Sequence, residues 1–140
     1  MGEEIHDSPH PFVAEHIRRF LATGGDARPG TNDLLLTTRG RSTGRLRRTA
    51  LVYVRDGGHY VVAASNAGAD RHPAWYLNLV AEPEVSVQVG ARVLPARART
   101  ATAAERTRLW GLLVDAMPAY QAYQEATSRT IPVVVLAPHG

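Results

Sequence analysis

The stretch from Leu34 to Arg55, LLLTTRGRSTGRLRRTALVYVR, constrains the fold more than any other. Two apolar, β-prone runs, Leu34–Thr38 and Thr49–Val54, flank a polar centre with Gly40, Gly44 and five arginines: Arg39, Arg41, Arg45, Arg47 and Arg48. The pattern predicts a strand, a glycine-rich turn and a second strand. The turn also suits an anion. Glycines admit positive φ and close approach, so successive N–H groups can converge on one oxygen. Ser42 and Thr43 add hydroxyl donors, and the planar forks of Arg41 and Arg47 match phosphate or carboxylate. The Gly-Lys-Ser/Thr ending of a Walker A loop is absent. The alternative is an ordinary hairpin with solvated arginines.

A chain of 140 residues is read as one domain with its own core: an N-terminal helix and linker over 1–30, then a core over 31–140. With no cysteine there is no disulfide, thiolate metal site or cysteine nucleophile. All 16 basic residues are arginines, so no lysine side chain offers a Schiff base. The net charge of +3 favours a small anion as readily as a nucleic acid. One small arginine patch with little aromatic interleaving argues against nucleic acid as a partner. With no signal peptide and no apolar run near 18 residues, the expectation is a cytoplasmic protein.

Along the chain, Met1–His10 is polar and is expected to be loose. Residues 11–23 carry Val13, Ile17 and Leu21 at spacing four, with Phe20 beside them, and Gly24-Gly25 ends that helix. Its main reading is a surface helix on the core; a minor one is peripheral contact with a membrane surface. No metal site is expected at His6, His10 and His16, because no carboxylate pattern accompanies them. A linker follows over 27–33. After the central hairpin, Asp56-Gly57-Gly58 turns the chain into a third strand, HYVVAA, apolar enough for burial on both faces. Small residues from Ser65 to Asp70 leave room for a flat molecule, or form a plain surface loop.

His72-Pro73 opens a short helix with Trp75 and Leu79 on one face and Asn78 between them. Asn78 is read as a brace for neighbouring loops, or as a ligand contact. Val85, Val87 and Val89 alternate with polar residues as a half-buried strand. Arg92–Arg99 is a weaker strand that Pro95 should push to an edge or bulge. Thr102-Ala-Ala-Glu105 is a capping box opening the longest helix, whose core face is expected at Leu109, Leu112, Leu113 and Ala116. A further helical turn carries Tyr120 and Tyr123, and Ile131–Leu136 is the last strand. Six strands without regular helix alternation predict an α+β fold around a small antiparallel β-barrel.

No His-Glu-x-x-His, EF-hand, Gly-x-Ser-x-Gly or Gly-x-Gly-x-x-Gly pattern occurs. Ser65, Asp70 and His72 could be drawn as a triad, but nothing places Ser65 on a nucleophile elbow. In order, TTRGRSTG, RRTAL, AASNAGADRHPAWYLNLVAEP, ERTRLW, PAYQAYQ and RTIPVVVLAP resemble the deazaflavin (coenzyme F420)-dependent nitroreductase family of actinobacteria. The resemblance runs from about Leu34 to Pro138.

It implies a six-stranded split β-barrel, shared with flavin-mononucleotide oxidoreductases, carrying a long C-terminal-half helix and short flanking helices. It also implies coenzyme F420 as cofactor. The cofactor's anionic tail would meet Arg41, Ser42, Thr43, Arg47 and Arg48, and the backbone of Thr49, Ala50, Leu51 and Val52 would line it. The ring would lie near Ala63, Ala64, Ser65 and Asn66, with Ala74, Trp75, Tyr76, Leu77 and Asn78 on another side. Tyr120 would reach the open face, and Tyr120 and Tyr123 would wall the acceptor and donate a hydrogen bond or a proton. The implied reaction is hydride transfer to a quinone or nitroaromatic acceptor. A flavin-mononucleotide enzyme on the same barrel and a non-catalytic cofactor-binding protein are the alternatives. Ser42 and Asn66-Ala67-Gly68 replace lysine-containing segments frequent in the family. Val52 and Met117 stand where its best-known nitroreductase has tyrosines, so quinone reduction is expected ahead of nitroreduction.

Overall fold

The computed structural model describes residues 3–139. Eight strands form one sheet in the order β1-β3-β2-β6-β7-β8-β5-β4. They are β1 (Ile5–Asp7), β2 (Asp33–Arg39), β3 (Leu46–Val52), β4 (Val54–Asp56), β5 (His59–Ala63), β6 (Glu84–Val89), β7 (Arg92–Thr100) and β8 (Val133–Pro138). The helices are α1 (Pro11–Ala22), α2 (Ala74–Ala81), α3 (Ala103–Ala116) and α4 (Ala119–Glu125), with one 3-10 turn at Asn66–Gly68.

The class is α+β, as the sequence predicts, but the six-stranded barrel is corrected to eight strands in one open, mostly antiparallel sheet. The second run of the central hairpin divides at Tyr53 into β3 and β4. The described part of the N-terminal segment is not loose: β1 pairs in parallel with β3, Ile5 opposite Leu46 and Asp7 opposite Arg48. Ion pairs from Glu3 to Arg39 and from Asp7 to Arg48 hold it there.

Side-chain alternation assigns the faces. Leu34 and Leu36 of β2, Tyr60 and Val62 of β5, and Val134 and Leu136 of β8 join one core cluster. In a flat sheet β2 and β5 would stand four strand spacings, about 19 Å, apart. Their shared core means that the sheet curls strongly on itself, although the edge strands β1 and β4 do not pair. Leu35 faces outward to Ile17 and Phe20 of α1. Val61, Ala63, Val133 and Val135 face Leu109 and Leu113 of α3 and Tyr120 of α4.

Three expectations change in detail. Leu21 is 43% exposed, so α1 packs through Ile17 and Phe20. Leu112 and Ala116 lie outside the buried face of α3, which is Leu109 and Leu113. β7 is interior rather than an edge, paired with both β6 and β8. The carbonyl of Pro95 accepts from the His139 N–H. A residue's N–H and C=O point to the same neighbour in an antiparallel ladder, so the N–H that Pro95 lacks falls where β8 runs out. The capping box forms as expected: Thr102 Oγ1 accepts from the Glu105 N–H, and the Glu105 carboxylate accepts from the Thr102 N–H.

Candidate active site

The β2–β3 hairpin builds the first half of the site. Its turn closes through Gly40 N–H donating to the Arg45 carbonyl at 2.7 Å and Gly44 N–H donating to the Gly40 carbonyl at 2.8 Å. A Cβ on Gly40 would stand 2.8 Å from Thr43 Oγ1, and Gly44 has φ +71°, so each glycine answers a distinct steric demand. Thr43 Oγ1 accepts from the Arg45 N–H. Among the described residues, the N–H groups of Ser42 and Thr43 have no protein acceptor.

Asn78, 4% exposed, is the brace. Its Oδ1 accepts from the Arg41 N–H at 3.2 Å and from Arg41 Nη1 at 2.9 Å, while its Nδ2 donates to Thr38 Oγ1. α2 is thereby fastened to the end of β2 and the start of the turn. The five turn-region arginines divide accordingly. Arg41 is partly spent on Asn78, Arg39 forks onto Glu3, and Arg48 forks onto Asp7 through Nε at 2.5 Å and Nη2 at 3.1 Å. The side chains of Arg45 and Arg47 have no hydrogen-bond or ion-pair partner among the described residues, and of the two it is Arg47 that lines the clefts. It borders a 210 Å³ cleft with Arg41, Ser42 and Thr43, and a 200 Å³ cleft with Arg48, Thr49 and Trp75. Ala74 and Asn78 line both, and Arg41 and Ala74 continue into a 670 Å³ cleft with Asn66, Leu77 and Arg129.

The second half lies across the Ser65–Gly68 turn, which borders both: Asn66 faces the large cleft, while Ser65 and Ala67 face a separate 370 Å³ cavity. Asn66 and Ala67 hold φ of 48° and 53°, the left-handed region. Such backbone costs a non-glycine residue of order 1 kcal/mol, less for Asn. Gly68 has φ +81°, and a Cβ there would come within 2.9 Å of the Tyr123 carbonyl, so this turn presses directly on α4.

Arg129 holds the turn from the other side. It donates to the carbonyls of Ala64, Ser65 and Ala69 and contacts His72 Nδ1 at 3.1 Å. Burial, and then the Arg129 charge, push the His72 pKa down, so the ring accepts as a neutral imidazole.

Ala50, Leu51 and Val52 line the 370 Å³ cavity together with Tyr120 and Tyr123. Tyr120 is 5% exposed, and burial foremost, then Tyr123 and Asp33, push its phenol up to about 12. Not every residue expected in the site converges on a cleft. Ala63 and Ala64 are buried at 3% and 0%. Tyr76 turns its hydroxyl to Thr100 Oγ1 at 2.7 Å and its ring to His72.

The sequence reading missed Arg129, His16, Arg28 and Asp33. His16 falls three residues after Val13 and four before Phe20, on the apolar side of α1, which was the available signal. Arg28 and Asp33 both sit in the segment expected to be a linker. Asp33 instead opens β2 at 7% exposure, with the Arg28 fork on its carboxylate.

Comparison with known proteins identifies the family and the fold. The family model for F420H(2)-dependent quinone reductase matches residues 12–138. The chain is 37% identical over 118 residues to the putative F420H(2)-dependent quinone reductase Rv3178 of Mycobacterium tuberculosis, covering 84% of this chain and 99% of that one. It is 42% identical over 106 residues to the F420H(2)-dependent quinone reductase Rv1261c of the same species, covering 74% and 71%. A solved F420-H2 dependent reductase, FDR-A, superposes with a TM-score of 0.70 at 42% identity, covering 75% and 93%. An arginine turn with unshared donors, joined across one strained turn to a tyrosine-lined cavity, thus sits on a chain that belongs to the F420H(2)-dependent quinone reductase family.

Proposed function

We propose that this chain uses coenzyme F420 to reduce a quinone-class acceptor as a single reductase domain. The observation carrying the proposal is that the Ser65–Gly68 turn borders both a cationic cleft system and an apolar cavity with a protonated tyrosine. The donor set fits an anionic cofactor tail. Arg47 is uncommitted, the N–H groups of Ser42 and Thr43 are free, and Arg41 is pre-positioned by Asn78. Arg48 contributes less, because Asp7 already holds it. The clefts walled by Ala74, Trp75 and Leu77 suit the remainder of the cofactor.

When bound, reduced F420 supplies a hydride. The protein's residues do the rest. Arg129 fixes the backbone of the dividing turn. The cavity holds the acceptor against Leu51, Val52 and Met117. Tyr120, its phenol near 12, stays protonated at neutral pH and donates a hydrogen bond to the oxygen on which charge develops. Val52 and Met117 offer no hydroxyl to a nitro group, which favours quinones over nitroaromatics.

No described helix is long and apolar enough to cross a membrane. Surface contact by α1 rests on Phe12, 82% exposed, since Leu21 lies on the opposite side of the helix. Loss of liposome co-sedimentation in Phe12→Ser is its check.

The test of function is fluorescence titration with F420 beside flavin mononucleotide, followed by quinone turnover with reduced F420. Preferential F420 binding with turnover supports the reading. Preference for flavin mononucleotide overturns the cofactor, and F420 binding without turnover of any quinone leaves a binding protein.

A further inference from the structure

We infer that His16, seated on Asp33, is the proton donor to the reduced acceptor. The inference deepens the proposed quinone reduction and rests on it. His16 reaches the 370 Å³ cavity from α1, and Arg28, Asp33, Tyr120 and Tyr123 line the same space. Its Nε2 is buried and lies 3.3 Å from Asp33 Oδ2, off the line of a good hydrogen bond. The Asp33 side chain is 4% exposed, and Arg28 spans both its oxygens, at 3.0 Å from Nε and 2.5 Å from Nη2. The carboxylate is therefore fixed in place before any substrate arrives. The His16 side chain keeps 21% exposure, and Nδ1 is not among the buried unpaired atoms. One nitrogen thus faces a fixed carboxylate while the other retains access.

The chemistry of the cavity leaves this role open. Reduction of a quinone to a hydroquinone takes one hydride and one proton. The hydride brings two electrons, the ring is reduced, and the oxyanion left behind must be protonated. Tyr120 stabilises that oxyanion but is a poor acid. The other ionisable neighbours are Arg28 from the loop, a cation that keeps its proton, Asp33 from β2, an ion-paired carboxylate, and Tyr123 from α4. β3 presents only Ala50, Leu51 and Val52. An imidazole is the group whose ordinary titration falls near neutrality. In the step, the His16 N–H bond breaks, an O–H bond forms on the acceptor, and neutral His16 is reprotonated from solvent. Asp33 is a positioning residue that holds the ring.

Two measurements test this. In the first, His16→Gln is compared with wild type in single-turnover reduction of a soluble benzoquinone across pH. The expected result is a loss of about 10²-fold in rate. The wild-type fall in rate with rising pH disappears, while melting temperature and F420 affinity stay unchanged. A wild-type rate, or a slowed enzyme that keeps the same pH limb, overturns the role. The second compares the ring-nitrogen NMR shifts of His16 in cofactor-free wild type and Asp33→Asn. A displaced Nε2 signal in the variant is expected, and an unchanged one overturns the pairing. This arm needs neither cofactor nor acceptor. A wild type that binds no F420 therefore sinks the functional reading, and the relay with it, by a result distinct from any failure of His16.

Discussion

The two halves of the site are built in opposite ways. The arginine turn is local: Gly40 to Arg47 supplies its glycines, hydroxyls and free cation, and α2 alone reaches into its cleft from outside, through Ala74 and Asn78. The cavity is assembled from distant segments, with His16 from α1, Asp33 from β2, Val52 from β3, Ala67 from the 3-10 turn and Tyr120 from α4. The turn is open and cationic, so its interactions are screened by water and salt. Tyr120 in the cavity wall is itself buried, which pushes its phenol up to about 12. A locally encoded anion cradle tolerates change around it. A cavity shared by five segments depends on the packing of each.

Breaking the cavity's packing has the largest expected effect. Gly68→Val places a Cβ within 2.9 Å of the Tyr123 carbonyl at φ +81°. It should destabilise by about 3 kcal/mol and displace the tyrosines, read as a lowered urea midpoint. Arg129→Met removes the donors to three turn carbonyls and should cost about 2 kcal/mol in the same unfolding measurement, with loss of quinone turnover. Ala67→Gly works the other way. It relieves a φ of 53° and should raise stability by up to about 1 kcal/mol, seen as a higher melting temperature.

The smallest effect lies away from both regions. The Arg99 fork, then the Thr102 N–H, draw Glu105 down from an ordinary 4.5 to about 2. A lowered carboxylate stabilises the fold above its unfolded pKa and loses that contribution as pH falls toward its folded one. Glu105→Gln should therefore be slightly less stable than wild type at pH 7, and the difference should vanish as pH falls from about 4.5 to 2.

Local chemistry is also what made the sequence legible. The hairpin, its two glycines and the capping box are set by residues within a few positions of one another, and each forms, the hairpin with its second run divided at Tyr53. Asn78 as a brace was legible because a buried amide in an apolar helix needs partners. β1 escaped because three residues, Ile5-His6-Asp7, carry too little pattern, and ion pairs far along the chain hold it. β7 was misplaced to an edge because the sequence cannot show that β8 ends beside Pro95. Arg129 and His16 act through partners more than sixty and about seventeen residues away, Ser65 and Asp33, which no spacing rule links. Of the cavity's lining, Tyr120, Tyr123, Ser65 and Ala50 to Val52 were reached through the resemblance, whereas His16, Arg28 and Asp33 carried no such signal.

The most direct test of the division between the halves is Arg47→Ala, measured by F420 titration together with the KM for a soluble benzoquinone. The account predicts F420 affinity about tenfold weaker, a loss of about 1.4 kcal/mol, with the quinone KM and melting temperature unchanged. Equal affinity, or a quinone KM that moves with it, would contradict the assignment of the turn to the cofactor and the cavity to the acceptor.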